Sequence, residues 1–173
     1  LIHNPGCGKT KKGLALLPER AKVINPERGP FFQRGEDDFF IAYRDDEPVG
    51  TICAGEDPPT NVNRDKKECI FGFFEYVQDY DVFQALIEQA AAWGRARSLD
   101  TLYGSWNLDY EDSYGVLVEG RDRPPALMCG HSPVYYQDFM TRYGFEPARA
   151  QNVALGVDFD DSPQFKRLTR IAN

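Results

Sequence analysis

A strand, a helix and a second strand follow one another without interruption between Cys69 and Asn107. The first strand is the aromatic and β-branched run 70–77, whose continuity predicts a central position in a sheet covered on both faces. Apolar residues at spacings of three and four then predict a helix over 81–97, opened by a capping box of Asp81 and Gln84. Residues 101–106 form the returning strand, after a right-handed crossover. This β-α-β unit constrains the chain to an α/β (α+β) fold.

The remaining elements follow from alternating apolar residues and from turn residues. Two strands joined by a short polar connection predict a β-hairpin. A polar stretch with two prolines predicts a surface loop, and an aromatic stripe at helical spacing predicts a final helix that Ser132 and Pro133 cap and Gly144 ends. These elements are the hairpin 39–54, the loop 56–67, the helix 133–143 and a last strand 153–159.

Composition limits the classes of function. A length of 173 residues with 42% hydrophobic content predicts one core of ordinary size. The net charge of −7 argues against nucleic-acid binding and is compatible with a cationic partner such as a small amine. No apolar stretch predicts a membrane span or a signal peptide, so we expect a soluble, cytoplasmic protein. The 4 cysteines lack a C-x-x-C spacing, which favours reduced thiols and no metal.

The domain limits follow from the same patterns. We assign 1–30 to an N-terminal extension, 31–160 to one domain, and 161–173 to the start of a C-terminal helix that can lead to a second domain. The chain begins at Leu1 rather than at a methionine, which suggests a piece of a longer protein. The Gly-Lys-Thr at 8–10 is no phosphate loop, because His3 stands where the loop needs a glycine.

Glu75 is the best candidate for a general base. Ligands of open α/β sheets bind at the carboxyl ends of parallel strands, which directs attention to 75–81 and 107–119. A carboxylate near the end of an apolar strand has its pKa raised towards neutrality by burial, as removal of an ammonium proton requires. The alternative is a structural role, as an ion pair with an arginine or as part of a buried hydrogen-bonded network.

The order of elements resembles the GNAT fold of acyl-CoA N-acyltransferases. The match covers 39–159, and it is carried by the segments 71–75, 103–107, 115–125 and 135–145. Within the superfamily these segments look like a little-characterised group in which a second GNAT-like half often follows. The resemblance implies a mixed, twisted sheet with helices on both faces, transfer of an acyl group to an amine, and as partner a second half or a homodimer.

The resemblance also implies a cofactor site and a substrate site. GNAT enzymes bind acetyl-CoA or another acyl-CoA between two splayed strands, here 70–77 and 101–106. Gly72 is a plausible sign of the bulge at which backbone meets ligand; relief of crowding between its aromatic neighbours is the alternative. The expected cofactor-binding residues are Gly72, Phe73, Phe74, Tyr76 and Asn107, and the expected contacts to a cationic substrate are Asp109, Asp112 and Glu119, although a solvated loop also explains these carboxylates.

The sequence departs from the GNAT pattern at two places, so the fold and the enzymatic activity must be judged separately. The pyrophosphate loop is degenerate: 78–83 has no glycine, and Asp79 and Asp81 would occupy the free amides and repel a phosphate. The general-acid tyrosine is replaced by Met140, so Tyr135 and Tyr136 become the candidate proton donors, with core packing as their alternative role. Two hypotheses remain: an N-acyltransferase with an altered loop, and a catalytically silent GNAT-fold binding or scaffold module.

Overall fold

A computed structural model describes residues 21–108, 114–125, 130–149 and 151–153. A 3₁₀ helix, Pro30–Gln33, precedes the first strand. The strands are β1 (Glu36–Arg44), β2 (Glu47–Glu56), β3 (Glu68–Tyr76) and β4 (Thr101–Gly104), and the helices are α1 (Pro58–Arg64), α2 (Tyr80–Ala96) and α3 (Val134–Tyr143). None of the helices in these ranges has the length and apolarity needed to span a bilayer.

The strands form one mixed sheet in the order β1-β2-β3-β4. The pairs β1–β2 and β2–β3 are antiparallel, whereas β3 and β4 are parallel and are joined by α2. Asp45 and Asp46 both have positive φ, 49° and 65°, as a two-residue hairpin turn between right-twisted strands requires. The predicted fold class, with its hairpin and β-α-β unit, is therefore confirmed.

Both long helices pack on one face of the sheet. Their core is built from alternate residues of β2 and β3 and from the apolar stripes of α2 and α3, among them Ile52, Phe71, Phe74, Phe83, Ile87, Tyr136 and Met140. The second face is partly covered by Phe31 of the 3₁₀ helix and by Trp106 and Leu108 after β4. Arg64 of α1 also lies over the ring of Tyr103, which packs against the same second-face cluster.

The predicted N-cap of α2 was wrong by two residues. Asp79, not Asp81, is the N-cap: its extended backbone lets a side-chain oxygen accept the Asp81 N–H at 2.9 Å. The predicted capping box is absent, because the Gln84 side chain donates to Glu88 one turn further along the helix. An aspartate on either side of Tyr80 made both starts compatible with the local sequence.

The polar stretch 56–67 was predicted as a loop, but the structure forms α1 there. Asp57 caps this helix by accepting the Thr60 N–H at 3.2 Å, and a proline occupies the first helical turn, where its missing N–H is harmless. The amide of Asn61 then bonds the backbone N–H and C=O of Glu68 at 3.1 and 3.0 Å, which fastens the helix to the start of β3.

The final helix ends as predicted, and it begins at Val134, directly after the predicted capping pair Ser132 and Pro133. Gly144, with φ of 106°, terminates α3 in the left-handed conformation that glycine adopts without strain. Ser132 does not cap it, because its hydroxyl accepts the Leu117 N–H at 2.9 Å. The returning strand ends at Gly104, two residues early. The predicted last strand falls almost entirely outside the described residues.

We expect Phe83→Ala to lower the free energy of unfolding by about 3 to 5 kcal/mol, because a fully buried aromatic leaves a cavity. Val62→Ala on α1 is the control, since that side chain is 80% exposed and its loss should change the free energy by less than about 0.5 kcal/mol. Chemical denaturation measures both. Equal midpoints for the two variants would show that α2 does not pack on the sheet as described.

Candidate functional site

The candidate site lies at the second half of β3, where the strand bulges. Thr51 pairs with Glu75 and Cys53 with Gly72, so two residues of β3 oppose one residue of β2. Phe73 lies in this irregularity with a φ of 45°, which a non-glycine residue rarely adopts. The bulge that Gly72 suggested is therefore present.

β4 separates from β3 at this bulge. The last pair of the parallel ladder is Phe71 with Gly104, after which the Trp106 N–H donates to the Phe71 carbonyl at 2.7 Å. A Cβ atom on Gly72 would lie 1.9 Å from the carbonyl oxygen of Trp106. Gly72 therefore permits close approach of the chain's own backbone rather than relief of crowding between its aromatic neighbours.

Side chains occupy the edge that β4 leaves. The Asn107 amide oxygen accepts the Phe73 N–H at 2.7 Å. From α3, the Tyr135 hydroxyl donates to the Tyr76 carbonyl at 2.9 Å, and the Tyr136 hydroxyl donates to Glu75 Oε2 at 3.0 Å. The fold thus brings together Glu75, Tyr135 and Tyr136, the three residues predicted to be catalytic.

Burial keeps both tyrosines protonated. Desolvation raises the pKa of Tyr136, and the nearby Glu75 carboxylate raises it further. The same two causes, in the same order, raise the pKa of Tyr135. A phenol with a raised pKa donates hydrogen bonds at neutral pH and releases its proton less readily than an ordinary tyrosine. In this arrangement Tyr136 holds and orients the Glu75 carboxylate.

The residues predicted to contact the cofactor divide between the two faces of the sheet. Phe74 and Tyr76 are each 6% exposed and pack in the aromatic core under α2 and α3. The Tyr76 ring stacks on Tyr136 with centroids 4.4 Å apart. The Phe73 ring lies on the other face, 5.3 Å from that of Phe39. Binding of a cofactor by Gly72, Phe73, Phe74, Tyr76 and Asn107 stays a prediction.

The backbone N–H groups of the first turn of α2 lie near the end of β3, but part of their hydrogen-bonding capacity is already used. Asp79 accepts one of them, and its other carboxylate oxygen receives an ion pair from Arg44 at 2.8 Å. The hydrogen bond from Arg44, followed by the one from the Asp81 amide, holds the pKa of Asp79 below its usual range. Arg44 lies 35 residues away in β1, so no local signal indicated this pair.

The residues predicted to bind a cationic substrate are less defined. Glu119 is exposed in the segment before α3, and Asp109 and Asp112 lie outside the described residues. Arg121, which the sequence did not single out, donates to the carbonyls of Val118 and Ser132 at 3.0 and 3.3 Å and also to that of Leu117. It therefore ties this segment to the start of α3.

Two concavities in the described part of the chain lie away from Glu75. One, of about 280 Å³, runs between the carboxyl ends of α2 and α3 and includes Cys69 and Tyr143. The other, of about 610 Å³, lies beside α1. Neither is lined by Glu75 or Tyr136. The described residues also contain no group of three His, Cys, Asp or Glu side chains arranged to hold a metal.

Comparison with known proteins finds two relatives. The chain is 34% identical over 139 residues to a protein named bacterial ceramide synthase from Caulobacter vibrioides, covering 80% of this chain and 36% of that protein. It is 28% identical over 106 residues to Protein YghO from Escherichia coli, covering 61% of this chain and 27% of that protein. The chain thus spans about a third of the length of the first relative. No family model and no solved structure matches.

The paired carboxylate of Asp79 makes a pH-dependent contribution to stability. Its pKa is lower in the folded chain than in the unfolded chain, so the stabilisation is present above about pH 4 and is lost as the pH falls through the folded value. We expect Asp79→Ala to lower Tm at pH 7, and the difference from the unmodified chain to narrow below about pH 4.

Thermal melts across that range test the pH dependence of the Asp79 pair. Asp138→Ala, which removes an equal charge from the exposed surface of α3, is the control. A Tm difference for Asp79→Ala that stays constant down to the lowest pH would contradict the role of the carboxylate.

Proposed function

We propose that this chain carries the general base of an N-acyltransferase that moves an acyl group from acyl-CoA to an amine. The observation that carries the proposal is the pair of Glu75 and Tyr136, at 3.0 Å, beside the bulge of β3. The phenol orients the carboxylate at the end of a parallel strand, which supports a role as proton acceptor for a ligand bound there. The resemblance to GNAT enzymes in the order of elements supports the same chemistry.

The similarity to a ceramide synthase narrows the proposed substrates. A ceramide is the amide of a fatty acid and a long-chain amino alcohol, so its synthesis forms an N–acyl bond. We therefore assign a long-chain amino alcohol as the acceptor and a long-chain acyl-CoA as the donor, with acetyl-CoA as the simplest alternative donor. The proposed reaction needs no metal.

The proposed reaction assigns a role to each of the three residues. Glu75 takes a proton from the ammonium group, and the free amine attacks the thioester carbonyl carbon. The C–N bond forms, the nitrogen loses its second proton as the amide is made, and the C–S bond breaks. The CoA thiolate leaves and takes up a proton, so that one proton in total passes from Glu75 to solvent. We assign the hydroxyls of Tyr135 and Tyr136 as the proton donors to that thiolate. In this structure the Tyr135 hydroxyl donates to the Tyr76 carbonyl and the Tyr136 hydroxyl donates to Glu75.

A second candidate function is a catalytically silent GNAT-fold module, and a specific observation favours it. The space beside Gly72 is filled by the backbone of Trp106, and the Phe73 N–H is taken by Asn107. Asp79 and its partner Arg44 hold the start of α2. An acyl-CoA would have to displace these groups, so a module that never binds it is consistent with the same geometry.

Glu75→Gln separates the two candidates. If Glu75 is the base, the variant keeps its shape but cannot accept a proton, so release of free CoA thiol should fall on the order of 10²-fold or more while Tm is unchanged. Glu88→Gln, on the exposed side of α2, is the control and should keep full activity. A large fall in Tm, in a chain that never releases thiol, would instead support the silent module.

Acyl-CoA affinity tests the altered helix start. We expect the unmodified chain to bind acyl-CoA weakly, and Asp79→Gly to tighten binding because it removes a carboxylate from the phosphate-facing amides. Asp65→Gly is the matched control, since it removes the same charge at an αL position that glycine tolerates. Calorimetric titration at physiological salt measures both variants. Tight binding by the unmodified chain would contradict this interpretation of the loop.

A further inference from the structure

A row of side chains crosses the sheet beside Glu75, on the face opposite α2. Ile41 of β1 pairs with Thr51 of β2, and Thr51 pairs with Glu75 of β3. Cross-strand partners project from the same face of a sheet, so these three side chains are neighbours. Along β1, Phe39 and Tyr43 alternate onto the face of Ile41. We call Phe39, Ile41 and Tyr43 the apolar strip.

The apolar strip is exposed. Phe39, Ile41 and Tyr43 are 37%, 52% and 62% exposed, whereas the far end of the same face is covered by Phe31 and Trp106. The strip runs about 13 Å along β1, the length of four residue steps of a strand. It leads to the row that contains Glu75, which lies two strand spacings, about 10 Å, from Ile41 on the same face.

Thr51 adds a polar group at the same place. Its side chain is 4% exposed, and its hydroxyl has no hydrogen-bond partner among the described residues. A buried hydroxyl without a partner is unfavourable, and such groups in proteins are usually satisfied. Because Thr51 lies between Ile41 and Glu75 in the row, a polar ligand atom at Glu75 is in position to supply the missing bond.

We propose that the apolar strip binds the alkyl chain of the acceptor, with the ammonium group at Glu75 and the hydroxyl of the amino alcohol at Thr51. The proposal rests on the proposed function for the role of Glu75 and adds the site that selects the chain. A carboxylate beside hydrocarbon complements a cation that carries an alkyl tail. The same carboxylate repels the phosphates of acyl-CoA, so we assign the strip to the acceptor rather than to the donor.

Acceptor preference tests the strip directly. Acyl transfer to sphinganine and to ethanolamine is compared for the unmodified chain and for the double variant Ile41→Ser, Tyr43→Ser. We expect kcat/KM for sphinganine to fall on the order of tenfold or more, because two apolar contacts are lost, with ethanolamine unchanged. Val62→Ser, at an exposed apolar position on α1, is the matched control. Equal losses for both acceptors, or no loss, would overturn the proposal.

Thr51→Val tests the hydroxyl contact, because it keeps the shape and removes the polar group. We expect kcat/KM to fall roughly fivefold for sphinganine and to stay constant for hexadecylamine, which has the chain and the amine but no hydroxyl. Equal effects on the two amines would reject the contact to Thr51.

A binding measurement separates failure of the strip from failure of the proposed reaction. Ile41→Cys is labelled with a maleimide, with the unmodified chain as background, in the presence and absence of hexadecylamine. Labelling that the amine prevents supports the strip even if no acyl transfer occurs, in which case the proposed reaction is wrong. If acyl transfer depends on Glu75 but the amine does not change the labelling, or no labelling occurs, then the strip does not bind the alkyl chain. The proposed reaction would stand in that case.

Discussion

The backbone of β3 beyond Phe71 keeps β2 on one side, but its β4 side has no paired strand within the described residues, and the rest of the candidate site depends on how that side is satisfied. Buried peptide groups are almost always paired, because an unpaired one loses its bonds to water. Here Asn107 accepts the Phe73 N–H, and Tyr135 donates to the Tyr76 carbonyl. Docking of α3 against the sheet is thus specified by polar contacts at its edge as well as by its aromatic core.

This arrangement connects the two faces of the sheet. Tyr136 belongs to the core under α2, yet its hydroxyl reaches Glu75, whose cross-strand partner Thr51 lies on the opposite face. A phenol that belongs to the core on one face therefore orients a carboxylate whose cross-strand partner lies on the other face.

The same region contains features that oppose acyl-CoA binding. The Trp106 carbonyl lies against Gly72, and the Asp79–Arg44 pair occupies the start of α2. Fold and activity are separate questions for this reason. A carboxylate oriented by a phenol, with exposed apolar side chains on the same sheet, favours the proposed enzyme. A filled strand edge and a capped helix favour a binding module. Both interpretations use the same few contacts, and displacement of those contacts by a ligand distinguishes them.

Periodicity in the sequence determined the hairpin, the β-α-β unit and the final helix, because each depends on neighbouring residues. A glycine inside a strand indicated the bulge at Gly72 but left a second explanation open. The sequence also singled out Glu75 and Tyr136, but separately. Their contact joins residues 61 positions apart, and the Asp79–Arg44 pair joins residues 35 apart, so only the tertiary structure decided either. The start of α2 and the helix α1 were mistaken because aspartate and proline suit both loops and helix caps. Tertiary contacts chose between them, as the bonds of Asn61 to Glu68 illustrate.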